Sequence, residues 1–183
     1  LNKDSKVIVQ VITGGAVVVG GVGLNENQYL ASGSDTPVDT QPGDSYAYLV
    51  KNAVNTYTLY LHNYSYTGRG TYVGYNQAAI YVTNENYALR VILEGDSCID
   101  MAPAKEASGS AIGFILGKSA VVQGRAGSSL TIRNADIGIK KDVSVTVTNA
   151  IINTENVNSL INSSNNMTFA SCTLNCPEST LYQ

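Results

Sequence analysis

Tryptophan is absent, histidine occurs once, and proline appears only four times in 183 residues. Each shortage closes off a class of protein. With His62 alone, a Ser-His-Asp triad has a single candidate base and a multi-histidine metal site has one ligand. Charged residues make up 14% of the chain, well under the usual quarter. The net charge of −3 and the pI near 5.0 argue against nucleic acid as a partner. No stretch carries the 3.6-residue apolar period of an amphipathic helix. There is no Cys-x-x-Cys zinc or redox motif, and no cofactor is expected. The cysteines number three: Cys98, Cys172 and Cys176. In an exported protein an odd count leaves a free thiol or an intermolecular bond, and Cys98 also reads as a small core residue.

What the chain has is Val, Ile and Leu in short alternating runs, with Asn, Ser, Thr and Gly between them. These favour strands. Residues 130–138, 145–153 and 167–175 repeat one pattern: apolar, Thr, apolar, a polar pair, then a second apolar position. Positions 130, 132 and 137 match 145, 147 and 152, and then 167, 169 and 174. The offsets are 15 and 22 residues. An apolar-polar-apolar strand buries one face and wets the other, and it cannot bury that face alone. Stacking such strands at roughly 4.8 Å makes a continuous core. The expected architecture is all-β: a right-handed parallel β-helix over about residues 46–176, of roughly six turns at about 20 residues each. Its inward residues are Leu59, Leu61, Ile80, Val82, Val91, Leu93, Ile112, Leu130, Ile132, Val145, Val147, Met167 and Phe169. Asn63, Asn134, Asn149 and Ser171 read as one column at a corner. There Asn serves both as turn residue and as a rung of an amide ladder.

Three regions follow from this pattern: a β-rich head at 1–30, a linker loop at 31–45 and a parallel β-helix at 46–183. The head has no charge between Lys6 and Glu26. As a signal peptide it lacks a good small-x-small cleavage site, and as a membrane span its glycines weaken it. As β-structure it gives strand 7–13, a turn at Gly14–Gly15 and strand 16–19. A signal peptide removed before Leu1 fits a mature exported chain. Open solenoid ends need cover. An uncharged segment carrying Val7, Val9, Val11, Val17 and Val19 either folds back over the first turn or adds a strand to a neighbouring subunit, giving self-association. Pro37, Pro42 and Gly43 punctuate the linker.

Residues 57–63, 79–82, 91–95, 110–112, 122–124, 129–132 and 138–142 together resemble the bacterial right-handed β-helix surface proteins labelled "carbohydrate-binding domain-containing". The best match is Gly138–Asp142 running straight into the strand Val143–Thr148. The resemblance covers roughly residues 46–153. It implies an exported parallel β-helix, extracellular or at the cell surface, without established catalytic residues, and a polysaccharide or cell-surface glycan as partner.

Ten of the twelve tyrosines lie between Tyr46 and Tyr87. Tyr46, Tyr48, Tyr60 and Tyr81 share outward parity, with Tyr64 and Tyr66 at the corner that follows. Tyrosine offers an apolar face and a hydroxyl, which suits stacking on a sugar ring or another protein. It is also an ordinary strand residue covering a flank. These six are the candidate ligand-binding residues. Glu94 and Asp96 are the carboxylates a polysaccharide lyase or glycosidase would need, although a turn carboxylate beside Gly95 is ordinary. His62 reads as an exposed, solvated side chain. Asn63, Asn162 and Asn166 sit in glycosylation sequons.

Overall fold

The computed structural model describes residues 14–105, 109–141, 144–163, 167–177 and 181. Val7, Val9, Val11, strand 7–13 and the Asn166 sequon lie outside the described residues. The described chain is almost entirely β. It opens with β1 (Val17–Val19), β2 (Val22–Leu24), β3 (Tyr29–Ala31) and β4 (Tyr46–Ala53). The parallel order then begins. β5 (Thr56–His62), β6 (Ser65–Thr67), a short β7 (Thr71–Val73) and β8 (Asn76–Val82) form one circuit. β9 (Ala88–Glu94), β10 (Asp96–Asp100), a single helical turn α1 (Ala102–Lys105) and β11 (Ala111–Ile115) form the second. β12 (Ser119–Gly124), β13 (Ser129–Arg133) and β14 (Ile137–Lys141) form the third, and β15 (Val145–Thr148), β16 (Ile151–Glu155) and β17 (Ser159–Ser163) the fourth. β18 (Met167–Ala170) and β19 (Thr173–Asn175) begin a fifth.

Each circuit visits three sheets in the same order. Sheet I runs β18-β15-β12-β9-β5-β4-β3, sheet II runs β19-β16-β13-β10-β6, and sheet III runs β17-β14-β11-β8-β1-β2 with β7 beside β8. From β5 onward the pairs along sheets I and II are parallel. The same holds in sheet III from β8 to β17. Thr56 lies beside Ala88 and Val145 beside Met167, so the repeat shortens from 32 residues to 22 along the chain. The uniform repeat of about 20 residues is therefore corrected.

Inward side chains form aliphatic stacks. Leu59, Val91, Val122, Val147 and Phe169 follow one another in register, and so do Tyr57, Leu89, Ala120, Val145 and Met167. The thirteen residues expected inside are buried except Met167 and Phe169, which are half-buried against the core at its C-terminal end.

The repeat that betrayed the fold has a different meaning in space. Leu130 and Ile132 belong to sheet II, whereas Val145 and Val147 belong to sheet I. Leu130 lies between Ser97 and Ile152 along the stack, and Leu174 follows Ile152. Only the 22-residue offset, Val145 to Met167, is a true stack. The 15-residue offset relates strands of two different sheets. Both sheets need the same local text: an alternating strand ended by a residue that tolerates left-handed backbone. Asn63, Asn134, Asn149 and Ser171 do take positive φ, at 46°, 52°, 52° and 55°.

The single asparagine column therefore becomes two ladders, and of the expected column only Asn134 takes part in one. Asn134 Nδ2 donates to Asp100 Oδ1 at 2.9 Å, and Asn156 Nδ2 donates to Asn134 Oδ1 at 2.8 Å. Asn153 Nδ2 donates to Thr131 Oγ1 at 3.3 Å, and Asn175 Nδ2 to Asn153 Oδ1 at 2.7 Å. Asn63 instead meets a glycine. Its Oδ1 accepts the Asp96 N–H at 3.1 Å and occupies the place a Cβ on Gly95 would need. Gly95 has φ 72°, so glycine suits this corner twice over.

The head folds back. β1 pairs antiparallel with β2 on one edge and β8 on the other, while β3 pairs antiparallel with β4, which pairs antiparallel with β5. Val17 and Val19 are fully buried in the chain's own core. Both edges of their strand are occupied, so neither is available to a neighbouring subunit. The tight turn is Gly20–Gly21, both at positive φ, rather than Gly14–Gly15. Residues 31–45 connect β3 to β4 within one sheet rather than separating two bodies. β4 was expected in the parallel part and is instead one arm of an antiparallel hairpin.

Candidate functional site: a tyrosine strip on sheet I

Alternation on β4 sends Ala47 and Leu49 inward, fully buried, and leaves Tyr46 and Tyr48 half-buried on the outer face. Antiparallel pairing then sets Tyr48 between Tyr29 of β3 and Tyr60 of β5, and Tyr46 beside His62. The rings interact along this row. Tyr29 and Tyr48 stack with centroids 4.0 Å apart, and Tyr29 meets Tyr46 edge-on at 5.3 Å. Tyr46 stacks on the His62 imidazole at 5.1 Å, and Tyr48 faces Tyr60 at 6.1 Å. Aromatic contacts of this kind add about 0.5–1.5 kcal/mol beyond their buried area, which holds the rings as a fixed surface.

One end of the strip is polar. Glu94 follows His62 in register on β9. Its carboxylate lies 3.2 Å from His62 Nδ1 through Oε2 and 2.9 Å from Arg125 Nη2 through Oε1. His62 is thus held between a ring and a carboxylate rather than simply solvated. Burial pushes the Tyr46 and Tyr48 hydroxyls above the usual phenol range, with the Glu94 charge adding at Tyr46 and Tyr29 adding at Tyr48. Both stay protonated as hydrogen-bond donors. Tyr48 Oη donates to Asn27 Oδ1 at 3.4 Å.

Tyr46, Tyr48 and Tyr60 come together as expected, but Tyr64, Tyr66 and Tyr81 do not. Tyr64 is 1% exposed and sits in the core, where burial raises its hydroxyl far above the usual range. Its N–H donates to Ser97 Oγ. The left-handed corner at Asn63 resets which side is inward, so parity counted from Tyr60 does not carry past it. Tyr66 lies on β6 of sheet II, half-buried over Gly20 and Gly68, its hydroxyl accepting the Gly70 N–H at 2.6 Å. Tyr81 is on β8 of sheet III, between Val18 and Ile115. Tyr29 joins the strip from the head. Its signal was the matching alternation of Tyr29-Leu-Ala31 and Tyr46-Ala-Tyr48, obscured by the intervening loop.

Glu94 and Asp96 flank the Gly95 corner and belong to different sheets. Glu94 is engaged by His62 and Arg125, and Asp96 Oδ1 accepts the Ser129 hydroxyl at 2.7 Å. Among the described residues no group of three or more His, Cys, Asp or Glu side chains is arranged to hold a metal. Cys98 lies half-buried on the outer face of sheet II beside Ser65 and Thr131, not in the core. Cys172 and Cys176 pack half-buried at the C-terminal end, and all three thiols are unpaired. Compared with protein families, curated proteins and solved structures, the chain finds no match.

Proposed function

We propose that this chain is an exported, non-catalytic glycan-binding module built on a right-handed parallel β-helix, extracellular or at the cell surface. The cyclic order of the three sheets supports the helix. The right-handed preference of parallel crossovers supports its hand. The observation that carries the glycan reading is the strip Tyr29–Tyr48–Tyr60 with Tyr46 and His62 alongside. It spans three neighbouring strands, so its rings cover roughly 10 Å of the outer face, about the length of two or three pyranose rings. Ring faces take the apolar faces of sugars, and phenol hydroxyls reach their edges. The His62–Glu94–Arg125 group at one end supplies acceptors and donors for hydroxyls. The low charge and the wealth of Asn, Ser and Thr accord with an exported chain.

The test is a glycan array and a pull-down on insoluble polysaccharides. The parent should be retained, Tyr46→Ala/Tyr60→Ala should be lost, and Tyr81→Ala should match the parent. Equal retention of the double variant would overturn the reading.

A further inference from the structure

Beyond the tyrosine strip, sheet I carries a second recess at the corner where sheet III feeds it. Thr56, Ala88 and Ser119 stand beside one another on β5, β9 and β12. Around them the β4–β5 hairpin, the turn at Asn84–Asn86 and the bend at Lys118 enclose a cleft of about 660 Å³. It shares Thr56, Ala88 and Ser119 with a smaller recess of about 310 Å³ that reaches Arg90. The walls are built rather than loose. The Ala88 N–H donates to Asn55 O and the Lys118 N–H to Tyr87 O, each at 2.8 Å, while the Asn86 N–H donates to Asn84 Oδ1 at 2.9 Å. Gly117 permits that approach, since a Cβ there would strike Tyr87 O.

The chemistry of the lining is one-sided. Arg90 and Lys118 have no ion-pair partner among the described residues, in contrast to Lys51, Arg125 and Arg133. Among the described residues no carboxylate lines either recess, although the chain as a whole is acidic; Glu85, on the same turn, is not part of the lining. The Ser119 hydroxyl and the amides of the asparagines add neutral donors, while the Thr56 hydroxyl already donates to Val54 O at 3.4 Å. An ammonium on the larger cleft, a guanidinium on the adjoining recess and neutral donors at their shared border match a tetrahedral oxyanion, which accepts from many directions at once. Thr58 and Arg90 stand two residue pairs along from Tyr60 and Ile92, on the same face. The strip runs across the strands and the cleft lies beside it along them, with Arg90 about 7 Å from the strip's line, so a substituent projecting sideways from a polymer on the strip reaches toward Arg90.

We propose that the cleft binds a phosphate or sulfate ester carried by the glycan that the tyrosines hold. The inference rests on the glycan-binding reading and names a substituent of its ligand. The experiment follows the amide NMR signals of Ala88 and Ser119 in the full chain during titration with inorganic phosphate, inorganic sulfate and acetate at constant ionic strength. Phosphate or sulfate should shift these signals saturably, while acetate should not. Arg90→Gln/Lys118→Gln, two exposed sites, should weaken the apparent affinity by about tenfold or more with the fold intact, since charged hydrogen bonds are worth that much. Retention on phosphorylated against sulfated dextran then tells the two esters apart. An equal response to acetate, or an unchanged double variant, overturns the proposal. Tyr46→Ala/Tyr60→Ala should leave the phosphate or sulfate response intact. If no glycan binds while that response persists, the glycan reading fails and the oxyanion site stands.

Discussion

Replacing Asn134 separates the two roles that asparagine plays at the corner between β13 and β14. Its side chain donates to Asp100 Oδ1 at 2.9 Å and accepts from Asn156 Nδ2 at 2.8 Å, while its backbone sits at φ 52°. Losing a bond to a carboxylate costs about 1.5–3 kcal/mol and a neutral amide bond about 0.5–1.5, with the lower ends apt for a half-buried site. Forcing alanine into left-handed backbone adds about 1–2 kcal/mol. Asn134→Ala should therefore cost about 3 kcal/mol, and Asn134→Gly, which relieves the backbone, about 2 kcal/mol. Asn149 shares the φ of 52° but makes no ladder bond with a described residue, so it is the control. Asn149→Gly should be near neutral and Asn149→Ala should cost about 1 kcal/mol. Urea unfolding followed by circular dichroism measures all four. Thermal midpoints should follow at roughly 2–4 °C per kcal/mol for a chain of this size. If Asn134→Gly costs no more than Asn149→Gly, the ladder contributes nothing and these residues are turn formers only.

Three further outcomes follow from the packing. Ile132 is fully buried, its side chain reaching toward Gly113 and Gly138 across the core, so Ile132→Asp should leave no cooperative unfolding transition, because an unpaired buried carboxylate costs several kcal/mol, on the order of the whole stability. A folded, soluble Ile132→Asp protein would remove this residue from the core. Deleting residues 1–31 strips Val17, Val19, Leu24 and Leu30 from the first circuit, each worth about 1.5–3 kcal/mol of burial, and should yield aggregated or non-cooperative protein; a stable truncated monomer would show that the head is dispensable. Burial pushes the Cys98 thiol up, against the opposing pull of Arg133, so iodoacetamide at mildly alkaline pH should label Cys98 more slowly than a free thiol peptide, and faster labelling would refute that environment.

The all-β class was legible because period-two alternation and left-handed corner residues are local. Leu59, Val91, Ile132 and Val147 declare their faces without reference to the rest of the chain. The stacking partners were not legible, because sheet I and sheet II demand the same short text, and 145–153 reads as a copy of 130–138 whether it lies above it or beside it. Tyr64 failed for a related reason, since parity cannot be carried through a residue at positive φ. Tyr29 was hidden by distance along the chain, and only the antiparallel pairing of β3 with β4 brings it to Tyr48. Val17 and Val19 read equally well as a donated strand and as a cap. In the structure β1 pairs with β2 and β8 of its own chain.

The glycan-binding account is tested most directly by mapping an oligosaccharide onto the protein. An array-selected glycan, titrated into protein with isotope-labelled tyrosine rings, should shift and broaden the ring signals of Tyr29, Tyr46, Tyr48 and Tyr60 together with that of His62. Tyr64, Tyr66 and Tyr81 should not move. Ring shifts confined to Tyr81, or a saturating titration that leaves all four strip tyrosines unmoved, would contradict the account.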